Sequence, residues 1–196
     1  PGDCNLIIIP GSKSTRGDLA FLRTQGWDID IAAHVRRGGF VLGICGGYQM
    51  LGQTISDPMG IEGPAGDSQG LGLLNVNTVM TSNKNLSRVQ GLHCASQTLI
   101  EGYEIHIGET QGLDRNRPFA KIAGQSEGAT SPDGRIIGSY LHGMFQEDNF
   151  RVAFLRQLGA STTQQNYSAT VDVTLDALAA HMERTCDVAG LLGLAR

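Results

Sequence analysis

Residues 40–52, FVLGICGGYQMLG, narrow the possible folds of this chain more than any other stretch. An apolar run without alternation reads as a strand covered on both faces, as in a parallel sheet. The segment GGYQMLG that follows reads as the first turns of a helix. A strand that turns sharply into a helix lifts one side chain above the sheet edge, and the crowded backbone there demands small neighbours. Gly43, Gly46 and Gly47 bracket Cys45 in this way. A helix start also offers free N–H groups and a partial positive charge, which predict a thiolate reactive near neutral pH. The other reading of the same residues is a structural cysteine at a tight turn.

The rest of the chain supplies a sheet for that turn to sit on. LIII at 6–9 reads as a strand buried on both faces and ends at Pro10-Gly11. STRGDLAFLRTQGWD and DIDIAAHVRRGG read as helices, the first stopped by Gly26, the second by Gly38-Gly39 with Arg36 and Arg37 near its C-terminus. Residues 53–72 read as loop. GLLNVNTVM, GLHCASQTLIEGYEIHIGET and PFAKI read as extended, antiparallel segments. A further strand over 135–141 ends at His142-Gly143, and EDNFRVAFLRQLG and TVDVTLDALAAHMERTCD close the chain as packing helices. The fold class predicted is α/β: an open, mostly parallel sheet flanked by helices, flavodoxin-like, with an added antiparallel segment in the middle.

The totals set limits. The 196 residues suit one domain over 1–196, and 40% hydrophobic residues supply a core. A formal net charge of −4 argues against nucleic acid or an anionic membrane as the main partner. No run is long enough to span a bilayer. Cys4, Cys45, Cys94 and Cys186 form no C-x-x-C pair, so neither zinc nor any other metal is expected. A normal core with unpaired cysteines predicts a reducing, cytoplasmic setting. The first residue is Pro1 rather than Met, which suggests a piece of a longer polypeptide cut at a domain boundary.

A thiolate doing acyl chemistry needs a base. His34 and His181 fall within helices as surface histidines, and His93 and His106 in the irregular middle. His142 ends a strand. In an open α/β sheet functional residues collect at the carboxyl ends of strands, so Cys45 and His142 are predicted to share one crevice. The N–H groups of Gly46 and Gly11 are the candidate oxyanion donors; a plain Pro-Gly turn is the competing reading of Gly11. GSKST at 11–15 matches a phosphate loop only in part, so this segment is not expected to bind ATP.

These residues carry a resemblance. GICGGYQMLG resembles the nucleophile motif of triad-type glutamine amidotransferases, and SYLHGMF the histidine motif of their cobyric acid synthase and cobyrinate amidase branch. LIIIPGSKSTRGDLAFLRTQGWD, GYEIHIGET and LDALAAHME are similar to the C-terminal amidotransferase domains of cobyric acid synthases. The resemblance implies glutamine hydrolysis at Cys45 with His142 as general base. It implies Gly11 and Gly46 as oxyanion donors and Gln49 as a glutamine contact. The substrate carboxylate calls for a cation, and Arg88 in NLSRVQG is the candidate.

It further implies that no cofactor is held here. The ammonia would pass to an N-terminal ATP- and Mg-dependent synthetase domain, absent from this chain, that amidates adenosylcobyrinic acid a,c-diamide to adenosylcobyric acid. One departure stands out: many triad enzymes have an acid two residues after the histidine, whereas here Met144 follows Gly143. Three rival readings stay open: a stand-alone glutaminase subunit serving another acid such as a cell-wall precursor, a cysteine hydrolase of the same sheet type, and a non-catalytic binding module.

Overall fold

The computed structural model describes residues 2–163 and 165–194, the side chains of 83–85 apart. The chain divides into two compact units, one running to Thr162 and one from Thr163.

The first unit opens with strand β1 (Leu6–Ile9), helices α1 (Thr15–Thr24) and α2 (Trp27–Arg36), strand β2 (Phe40–Ile44) and the short helix α3 (Gly46–Leu51). Strands β3 (Thr54–Asp57), β4 (Gly66–Gln69), β5 (Asn77–His93), β6 (Leu99–Gln111), β7 (Ala120–Ile122) and β8 (Gln125–Glu127) follow. The unit closes with β9 (Ala129–Thr130), β10 (Ile136–Ser139), β11 (Leu141–His142) and helix α4 (Asp148–Gln157).

Two sheets result. The first has the order β1-β2-β10-β9, with β1, β2 and β10 parallel. Its register sets Ile9 beside Gly43 and Ile44 beside Ser139, so the residues that follow all three strands emerge at one edge. Alternation along β2 and β10 feeds two cores. Val41 and Ile136 pack with Leu19, Leu22 and Ile31 of α1 and α2, and Tyr48 and Leu51 of α3. Leu42 and Ile137 pack with Phe150 and Phe154 of α4. Helices thus cover both faces, as the apolar runs predict.

The second sheet has the order β11-β6-β5-β3-β4, with β7 paired to β5 and β8 to β7. It is antiparallel except for the β3–β5 pair. The structure is therefore α/β with a parallel core and an added antiparallel segment.

Three local readings of the sequence change. Strand β1 lies at the sheet edge and leaves Ile8 47% exposed, so it is not covered on both faces. The stretch read as loop contains β3 and β4, whose polar residues (Ser56, Asp67, Ser68, Gln69) hid the strand pattern. The single strand over 135–141 is two strands: β10 belongs to the first sheet and β11 to the second, and the chain crosses between them at Tyr140.

In the second unit, helix α5 (Tyr167–Thr185) starts at Asn166, whose side chain accepts the Ala169 N–H at 2.9 Å, an ordinary N-cap. Helix α6 (Val188–Leu194) follows.

Candidate active site

Strand β2 delivers Cys45 to the sheet edge in a strained conformation, φ 55° and ψ −112°, a left-handed φ that a residue with a Cβ avoids. Two hydrogen bonds hold it there. Its N–H donates to the Ser139 carbonyl at 2.8 Å, and its carbonyl accepts the Gln49 N–H at 3.1 Å. The glycines after it answer to close backbone approach. A Cβ on Gly46 would stand 3.0 Å from the Ser12 nitrogen, and one on Gly47 2.0 Å from the Ile9 carbonyl oxygen. The β1–α1 loop is thereby pressed against the first turn of α3, with Gly11 beside Cys45.

Gly11 also marks where Cys45 and His142 meet. A Cβ placed on it would lie 3.5 Å from the Cys45 Cβ and 3.2 Å from the His142 Cε1. The two distances together bound the separation of the side chains, which therefore border one small space. Cys45 comes from the first sheet and His142 from the second. The His142 ring stacks on Tyr103, its cross-strand partner, at 5.2 Å and 9° between planes. Its Nε2 is buried and has no hydrogen-bond partner among the described residues.

The electrostatics differ from the sequence reading in one respect. Burial pushes the Cys45 thiol up from its ordinary value, and the Glu62 carboxylate adds to the rise. The Gly46 N–H, directed at the sulfur, opposes them with the smaller effect. The expected thiolate is therefore replaced by a thiol, which donates to the Ile105 carbonyl at 3.2 Å. At the start of the six-residue helix α3, desolvation outweighs the Gly46 N–H. Burial also lowers the His142 pKa, while the Ile105 carbonyl partly sustains the charged form. At neutral pH the site holds a neutral thiol and a neutral imidazole with a free ring nitrogen, a pair suited to proton transfer when substrate binds.

The other sequence candidates take different places. Gln49 is 2% exposed, and its amide is engaged: Nε2 donates to the Ile107 carbonyl at 2.9 Å and to the Tyr140 hydroxyl at 3.2 Å, and Oε1 accepts from Thr15 Oγ1 at 3.2 Å. It ties α3 to β6 beside the site. Arg88 is exposed on β5, directly opposite Tyr103, which is directly opposite His142. Opposed residues share a sheet face, so Arg88 lies two strands from His142 on its side of the sheet.

His34 is a buried histidine, 2% exposed, bonded to the Phe40 carbonyl at 3.0 Å, rather than the surface residue its helix suggested. His93 is buried among Phe119 and Phe150, and its burial takes its pKa down to about 4. His106 stacks on Tyr140 at 3.9 Å, and Glu104 and His142 both act on its charge.

Two residues at the site escaped the sequence reading. Glu62 comes from GIEGP, read as part of a featureless loop. The buried Asp57 carboxylate folds that loop by accepting the N–H groups of Ile61 at 2.8 Å and Glu62 at 3.0 Å. Glu62 then caps α1 by accepting the Thr15 N–H at 2.7 Å, close enough to act on the Cys45 charge. Glu127 is the other. It is a buried carboxylate at the end of β8, beside a cavity of about 490 Å³ that Tyr48, Glu104, His106 and Arg115 also line. Among the described residues no group of three or more His, Cys, Asp or Glu is arranged to hold a metal, and no helix is long and apolar enough to cross a membrane.

Comparison with known proteins adds to this geometry. Residues 1–150 match the family described as the CobB/CobQ-like glutamine amidotransferase domain. The chain is 65% identical over all of its length to the cobyric acid synthase of Rhodobacter capsulatus and 63% identical to that of Bradyrhizobium diazoefficiens. It spans 41% of the length of either protein. Among solved structures, a crystal structure of a glutamine amidotransferase aligns over 81% of this chain and 82% of its own, with TM-score 0.57 and 17% identity. PurLQS from Thermotoga maritima aligns over 76% of this chain and 74% of its own, with TM-score 0.53 and 18% identity. At such identities these two speak for the fold alone.

Proposed function

The chain belongs to the CobB/CobQ-like glutamine amidotransferase domain family, and from that premise we propose that it hydrolyses glutamine to glutamate and ammonia through a Cys45 thioester. The observation that carries the reading is the convergence of Cys45, Gly11 and His142, with His142 Nε2 unpartnered. As glutamine enters, the thiol leaves the Ile105 carbonyl and gives its proton to His142. The sulfur attacks the side-chain carbonyl, and the N–H groups of Gly11 and Gly46 stabilise the oxyanion. His142 returns the proton to the departing ammonia, then activates the water that cleaves the thioester. Glu62, beside Cys45, offers a negative charge to the substrate ammonium, and Arg88 a positive one to its carboxylate. A contact from Gln49 to substrate requires it to release one of its present partners.

In its wider setting, we propose that the chain is the ammonia-supplying domain of a cobyric acid synthase. An N-terminal synthetase domain would use ATP and Mg to amidate side-chain carboxylates of adenosylcobyrinic acid a,c-diamide. The support is the identity to cobyric acid synthases together with the 41% of their length that the chain spans.

The test is glutaminase activity of Cys45→Ser and Cys45→Ala variants, with labelling by the glutamine analogue diazo-oxo-norleucine. The parent should label once per chain, and both variants should lose activity by about 10³-fold or more and fail to label. Glutaminase activity surviving in Cys45→Ala would overturn the assignment. Peptide or ester cleavage without glutamine turnover would point to the hydrolase reading instead.

A further inference from the structure

Cys45 and His142 stand on different sheets, so their alignment depends on whatever fixes one sheet to the other beside them. The chain passes between the sheets twice here, at Gly128 between β8 and β9 and at Tyr140 between the end of β10 and the start of β11, and the second passage leads directly to His142. A crossover residue belongs to neither ladder, and the N–H groups around it must find partners elsewhere when buried. Here Glu127 supplies them. Its Oε1 accepts the Tyr140 N–H at 2.7 Å, and its Oε2 accepts the Ser139 hydroxyl at 3.0 Å. The Ser139 hydroxyl in turn accepts the Leu141 N–H at 3.0 Å. The same Ser139 accepts the Cys45 N–H on its carbonyl. All four groups are buried: Ser139 and Leu141 are 0% exposed, Glu127 6% and Tyr140 8%.

We infer that Glu127 is a positioning residue for the proposed glutaminase reaction: through Ser139, Tyr140 and Leu141 it sets where His142 stands relative to Cys45. This rests on the roles of Cys45 and His142 proposed above. Glu127 touches neither of them, so it acts on the reaction through placement alone. No acid follows His142 two residues on; the ring is held by the Ile105 carbonyl and the Tyr103 stack, and Glu127 fixes the backbone that carries it. A carboxylate is suited to this, because both of its oxygens accept, one from the crossover residue Tyr140 and one from Ser139 before it. The isolated charge is expensive to bury, and burial pushes the Glu127 pKa up to about 7. Glu104 from β6 raises it further, while Arg115 and the bonds from Tyr140 and Ser139 lower it; Tyr48 from α3 also faces it. Such a cost is out of proportion for a residue that only fills space.

The test is Glu127→Gln in the complete protein that carries this chain. The amide keeps the volume and one acceptor but turns a donor toward the Ser139 hydroxyl. Active sites are counted by labelling to completion with diazo-oxo-norleucine, so that loss of folded protein does not enter kcat. Per labelled site, kcat should fall roughly tenfold or more while KM for glutamine stays within about twofold. Ser139→Ala, which removes only the relay to Leu141, should shift kcat the same way by a smaller factor. An unchanged kcat per site in Glu127→Gln overturns the inference. If that variant does not fold, an unchanged kcat per site in Ser139→Ala overturns it. A parent that neither labels nor turns over glutamine refutes the roles of Cys45 and His142 instead, which separates the two failures.

Discussion

Cys45 carries a backbone strain that the proposed nucleophile role accounts for. A left-handed φ on a non-glycine residue costs on the order of 1–3 kcal/mol, and at 55° Cys45 is one of three non-glycine residues with positive φ among those described. At most positions glycine is less stable than alanine because it loses more backbone entropy. Here the order should invert: Cys45→Gly should be more stable than Cys45→Ala by about 1 kcal/mol or more, seen as a higher urea midpoint. Equal midpoints would mean that the turn is not strained.

The same residue scale fixes the pH dependence. In the proposed reaction His142 must be neutral to take the thiol proton, and burial moves its pKa below the ordinary 6.5. The imidazole is thus neutral above that lowered value, and activity is lost as pH falls through it. The acid limb of kcat/KM for glutamine should have its midpoint below pH 6.5. Because burial raises the thiol above 9.0, thiol ionisation should produce no inflection between neutrality and that value. A midpoint above 7 would show that His142 is not the group titrating.

At the scale of elements, the site depends on how closely α3 can lie on β1. The Gly47 contact with the Ile9 carbonyl involves backbone on both sides, so neither partner can swing away. Gly47→Ala should therefore destabilise the fold by about 3 kcal/mol, and the displaced helix start should carry Cys45 away from His142. A denaturation midpoint matching the parent's would show that the two elements are less tightly apposed. The contrast with α4 is instructive. That helix attaches through Phe150 and Phe154, side chains that repack, whereas α3 attaches through the absence of side chains. Helix α3 is too short to stand on its own propensity, so its place comes from β1, β2 and the buried Tyr48 and Leu51.

On the scale of the whole molecule, the first unit is two sheets made to meet at one edge. The parallel sheet supplies Cys45, the proposed nucleophile, at the end of β2. The antiparallel sheet supplies His142, the proposed base, on β11 and the Ile105 carbonyl on β6 to which the resting thiol donates. A chain of buried hydrogen bonds runs beneath them, from Thr78 to Thr110 at 2.7 Å, to the Tyr140 hydroxyl at 2.5 Å, then through Gln49 to Thr15. Satisfied polar networks of this kind specify one arrangement where apolar packing would tolerate several. Tyr140 belongs to this network through its hydroxyl and to the Glu127 brace through its N–H, so both layers of order converge on the crossover residue.

What the residues alone determined was local. The unbroken apolar run of β2, the glycines around Cys45 and the strand ending at His142 follow from periodicity and backbone sterics, which act over a few neighbours, and they single out Cys45 and His142 as the candidate nucleophile and base. Only tertiary structure decided the rest. The ionisation of Cys45 turned on desolvation by distant residues and a short helix, which no local pattern records. Glu62 lay in a stretch read as loop and Glu127 carried no reading; folding buried Glu127 beside the crossover and set Glu62 on the Thr15 N–H, near enough to act on the Cys45 charge. Charge and burial are properties of three-dimensional surroundings, and a sequence lists a carboxylate without saying what will surround it.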